Sequence, residues 1–193
     1  MLRIKNRWHK NAKNRSLPDI AQTLGFNCWR IAANAVVELE KEFKTETYTD
    51  RLNIIGEYLA FLLQATDRLT YAQFSEEERH IFISALANDV AERFADNQRD
   101  LLGEGEHKKA FIDLLNQQAI EYGDIEFLGQ EGGFAFCNYF GQRMQRAMHD
   151  QPWVVEYMVD IAAPEAIKQL RLNIKGLLSF QADKAEDEER QKN

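Results

Sequence analysis

The stretch "DIAQTLGFNCWRIAANAV", Asp19 to Val36, decides the fold, because it holds one glycine at which a helix either breaks or runs on. Its apolar and small residues supply the test. Ala21, Leu24, Gly25, Cys28, Ile31, Ala32, Ala35 and Val36 recur at intervals of three and four, the period of one face of an α-helix. The same interval carries on through Leu39 to Phe43. Two helices meeting at Gly25 would point in different directions, and the phase would jump there. It does not jump. The spacing therefore predicts one long helix over about 18–44, capped near Ser16 or Leu17, with Gly25 at a close helix crossing.

The same residues also resemble the helix-turn-helix of DNA-binding proteins. Ile20-Ala21 stands where the small packing residue of the first helix stands. Leu24-Gly25-Phe26-Asn27 stands at the turn, and Ile31 at the locking position of the second helix. The resemblance covers about 16 residues and implies major-groove contacts. Asn27 and Arg30 are then the side chains able to read base edges, since Cys28, Trp29, Ala32 and Ala33 offer little. The supposed recognition helix would end in "ELEKEF", an acidic end that repels a phosphate backbone. The uninterrupted phase and this acidic end both favour the single core helix.

Working outward, the rest of the chain also reads as helices. Only three prolines occur, Pro18, Pro152 and Pro164, each where a helix can begin. A second helix follows Thr49-Asp50 and runs to about Tyr71. A third opens at "SEEE", where Ser75 and Glu78 form a capping box, and stops at Gly103. Further helices are expected over about 106–122, 133–149, 152–161 and 164–180, with the glycine-punctuated "GDIEFLGQEGG" separating the fourth from the fifth. Strand-type alternation is weak. The expectation is an all-α, single-domain bundle of about seven helices. Long antiparallel helices form its N-terminal side and shorter closing helices its C-terminal side. The domain spans 16–180, between a basic arm (1–15) expected to be flexible and solvated and a charged tail (181–193) without large apolar residues that is expected to lack order.

Charge is unevenly placed. The arm "MLRIKNRWHKNAKNR" holds six Lys/Arg and no acid. With the arm at +6 and the whole chain at −7, residues 16–193 stand at −13. Such an arm can touch phosphates, through Arg3, Lys5, Arg7 and Lys10 above all. It can equally touch an anionic membrane surface, or the acidic body of its own or another copy. It is also Arg-rich and acid-free like a mitochondrial presequence, although short. No apolar run has membrane-spanning length; the longest is "YLAFLL". The two cysteines, Cys28 and Cys137, form no C-x-x-C pair, and their usage suits a reducing, cytoplasmic compartment.

Chemistry-bearing patterns are sparse. On the second helix Asn53, Glu57, Phe61, Gln64, Arg68 and Tyr71 fall within about 40° of one line, with Asp67 beside them. On so apolar a helix, such a line is a strip of solvent exposure, a structural polar network, or one wall of a cleft. In the cleft reading Glu57, Gln64, Asp67 and Arg68 are the ligand-binding or catalytic set. Glu57 and Arg68 are eleven residues apart, so any ion-pair partner must come from another helix. A di-iron bundle needs Glu-x-x-His on two helices. Glu77 to His80 supplies one, while Glu104 to His107 spans a glycine-bearing turn. Neither a metal site nor a cofactor is expected. The polar "DNQRD" (96–100) suggests a buried Asn97 bonding into the following loop. No catalytic motif stands out. The leading expectation is a non-enzymatic protein-binding or regulatory module that self-associates or docks another protein. DNA binding through 19–36 and the arm, or a cleft along 51–71, are the alternatives.

Overall fold

The computed structural model describes the backbone of residues 16–192 and the side chains through residue 178. Among them every regular element is helical. The first helix, α1 (Leu17–Leu39), runs straight through Gly25 with no turn. Ser16 caps it in a reciprocal box with Asp19. Ile20, Ala21, Leu24, Gly25, Cys28, Ile31, Ala32, Val36 and Leu39 are all buried, as the periodicity requires. Trp29 is buried as well, so the core-facing arc is wider than the stripe alone. The helix stops at Leu39, short of the expected 44. There Lys41 and Glu42 bond back to Glu38 and Leu39 in tighter i→i+3 turns. Thr45 and Arg51 both bond the Glu40 carboxylate and tether the connection that follows.

The next helix, α2 (Tyr48–Thr70), is the axis of the molecule. From Ile54 to Thr66 only Glu57 escapes full burial. Its cap is Thr47 with Asp50 three residues on, earlier than the Thr49-Asp50 reading. α3 (Glu76–Leu102) opens on the Ser75–Glu78 box and ends at Gly103, as expected. It packs along α1, and here Gly25 matters. A β-carbon on Gly25 would overlap a carboxylate oxygen of Asp89 on α3 and lie 3.1 Å from its carboxylate carbon. Asp89 is itself held by Arg93 through bonds of 2.7 and 3.1 Å. Glycine thus permits a close approach between two helices, not a turn. Asn97 is half-buried, but its amide bonds the Arg93 carbonyl of its own helix at 2.8 Å, not the following loop. A side chain facing back along a helix finds the preceding carbonyl before it finds a neighbour.

α4 (His107–Gly123) and α5 (Gly133–Ala147) lie against α2. Between them, Leu128 and Gly132 pair as a single isolated bridge. At Gly133 (φ 76°) a β-carbon would meet Leu128 at 2.8 Å, so the loop closes only over glycine. The sixth and seventh expected helices are one continuous body. α6 (Val154–Tyr157) passes through a π-helical turn (Met158–Ala162) into α7 (Ala163–Lys192). Six helical bodies therefore stand among the described residues where seven are expected. Pro164 lacks the N–H that would bond the Asp160 carbonyl. The backbone widens just before it, and the Ala163 N–H reaches the Met158 carbonyl, five residues back. The backbone of α7 stays helical to Lys192, past the expected end near 180. No helix among the described residues is long and apolar enough to cross a membrane.

Candidate functional site

Two places concentrate polar chemistry. The first is the seam where α2 meets α4 and α5. Glu57 projects from α2 and takes a forked bond from Arg143 of α5, at 2.8 and 3.1 Å. The pair is well shielded, with side chains 12% and 17% exposed. Gln118 of α4 donates its amide to the same carboxylate at 2.9 Å. Arg143 is held further toward its charged form by the Glu57 bonds. One turn along α4, Tyr122 is fully buried, and burial pushes its phenol well above its ordinary range. Arg68 donates to the Tyr122 carbonyl at 3.1 Å, covering the end of α4. Tyr139 of α5 donates to Glu121.

The four residues of the cleft reading do not converge. Glu57 turns to α5, Arg68 to the last turn of α4, and Gln64 is buried in the interior. Asp67 is drawn the other way, to Arg79 of α3, by bonds of 2.6 and 2.5 Å. The polar atoms of Glu57, Asp67 and Arg68 join helix to helix. At the ends of the line Asn53 and Tyr71 are exposed, while Phe61 at its centre is fully buried. Sequence reasoning missed Arg143, Gln118, Tyr122 and Arg79. The eleven-residue separation of Glu57 and Arg68 demanded outside partners, but nothing in the pattern named them.

For the nucleic-acid reading, Arg3, Lys5, Arg7 and Lys10 lie outside the described residues. Asn27 is half-buried, and Arg30 is exposed with its guanidinium 6.0 Å from the Phe26 ring. Cys28 is sealed in the core, and burial together with the Asp89 charge pushes its thiol up to about 12. Burial raises Cys137 to about 11. Neither thiol is an activated nucleophile. Among the described residues no three His, Cys, Asp or Glu side chains are grouped to hold a metal ion.

The second place is the connection from α5 to α6. His149 (φ 57°), Asp150 (φ 55°) and Trp153 (φ 68°) all adopt the left-handed conformation, although none is glycine. Asp tolerates it best and a bulky indole least. The surroundings hold the loop there. The Gln151 amide donates to the Lys44 carbonyl at 2.8 Å and to the Met148 carbonyl at 3.1 Å, and accepts from the Lys44 N–H at 3.2 Å. His149 contacts the Asp50 carboxylate at 3.0 Å. That contact, with Thr47, holds Asp50 below the usual carboxylate range. The loop walls an open groove of about 540 Å³ lined by Gln142, Gln145, Arg146, Asp150, Trp153, Val155 and Glu156. Trp153 is 72% exposed. An indole outside the core breaks no helical period, so the sequence carries no signal that singles it out. In comparisons with protein-family models, curated proteins and solved structures, the chain matches none.

Proposed function

We propose that the protein is a non-enzymatic interaction module and that the groove beside Trp153 docks another protein chain. The single observation that carries this is the exposed indole held in a strained backbone conformation by a dedicated clamp. Leaving a tryptophan in water forgoes the burial that stabilises the fold, and a left-handed bulky residue adds about 1–3 kcal/mol of strain. A pre-ordered aromatic anchor lowers the entropy cost of binding, and such anchors dominate protein interfaces. The groove also offers primary amides and charges of both signs, which suit a polypeptide better than an apolar ligand.

Photo-reactive residues placed at Gln142 and Glu156 test this in cells. Both are expected to give adducts of discrete mass that disappear with Trp153→Ala. The same residue placed at Lys109, outside the groove, is expected to give none. Absence of adducts at both groove positions overturns the proposal.

A further inference from the structure

Resting on that reading of the groove, we propose its occupant: the basic arm, residues 1–15, of a second copy of this chain. The groove is built for a cationic segment. The exposed carboxylates of Asp150 and Glu156 stand on its wall, and Asp160 stands one turn past Glu156. Among the described residues, Arg146 is the only cation lining it. The α5 helix ends at Ala147, and Gln145 and Arg146 of its last turn line the groove. The Trp153 indole offers a face on which Lys or Arg can stack. The arm supplies the complement, with six Lys/Arg, no acid, and Leu2, Ile4 and Trp8 as apolar contacts.

Reach and charge decide for a second copy. The groove lies at the C-terminal end of α1, since Phe43 stacks edge-on against Tyr157 at 5.3 Å and Lys44 bonds Gln151. The arm leaves from Ser16 at the opposite end. α1 is 23 residues long, or about 35 Å. Following it back would use roughly ten of the arm's residues in extended form, leaving only the tip for the groove. That route also follows a helix that itself carries no acid between Asp19 and Glu38 and presents Arg30. An arm from a second copy has neither constraint. Reciprocal exchange of two arms gives a closed two-fold dimer.

The test uses the full chain with a photo-reactive residue at Gln142, mixing isotopically heavy and light protein at low salt. The expected products are heavy–light dimers cross-linked within residues 1–15. Their yield should fall about tenfold on raising salt to several hundred millimolar, where charges beyond a few ångströms are screened. Lys5→Glu/Arg7→Glu/Lys10→Glu should lower it similarly. Adding Asp150→Lys/Glu156→Lys to that variant should restore it. Circular dichroism confirms that each variant keeps its helices. Adducts confined to one chain, adducts mapping outside residues 1–15, or a yield indifferent to arm reversal overturn the arm as occupant. In cells, adducts from the same position to a different protein and none to residues 1–15 overturn the arm and leave the docking groove intact. No adduct in the mixed protein or in cells overturns both.

Discussion

Gly25 and Glu57 show how much one residue carries. Gly25 lets Asp89 lie against α1. Gly25→Ala should therefore destabilise the fold by about 1–3 kcal/mol through overpacking, despite the better helix propensity of alanine. In an Asp89→Ala background the carboxylate overlap is gone and only the residue 89 β-carbon, at 3.3 Å, remains close, so the same substitution should cost much less. Urea titration of the four proteins checks that the cost shrinks. Arg143→Met leaves the Glu57 carboxylate in the seam without its forked partner. The expected loss is about 3 kcal/mol, and replacing both residues with apolar ones should recover most of it. The apolar phase through Gly25 was legible from spacing alone, because a helix repeats its face. The partner of Glu57 was not, because Arg143 lies 86 residues away and no local pattern records which helices meet.

At the scale of elements, the caps were the most legible feature. Ser75 and Glu78 marked the start of α3 and Gly103 its end, because terminal amides and carbonyls need specific partners. The merging of the last two helices was not legible. Pro164 reads as a start, yet a π turn absorbs it within a continuous helix. Val154, Met158, Ala163, Ala166, Ile167 and Leu170 are buried in succession. The step from Met158 to Ala163 is five residues, where an unbroken helix would take three or four. The turn thus holds one residue beyond the regular count. Deleting Ile161, which is exposed, should bring both halves into ordinary phase. It should also return Pro164 to a regular helix, at a cost of about 3 kcal/mol. Deletion combined with Pro164→Ala should therefore melt well above the deletion alone. Deletion of Asn34, exposed in the unbroken α1, should be worse than either, since it turns Val36 and Leu39 away from the core.

For the whole molecule, the all-helical class followed from periodicity, whereas the groove did not, because it arises where distant segments meet. The contact between His149 and Asp50 joins the α5–α6 loop to the start of α2. Asp50 has a lowered pKa when folded. Its contribution is complete above the ordinary carboxylate value of about 3.9 and is lost as pH falls through the lower folded value. Asp50→Asn should lower the melting temperature at neutral pH, and the two proteins should converge as pH falls through that lower folded value. The Gln151 clamp has a different consequence. Its bonds to residue 44 engage only the main-chain N–H and C=O of Lys44, so the tie between the α1–α2 connection and the groove wall is blind to the side chain at position 44. Lys44→Ala should leave the Trp153 loop in place. Lys44→Pro, which removes the N–H, should loosen it and speed hydrogen exchange at Trp153. The geometry of the groove is inherited from a backbone that sequence drift at that position can barely reach.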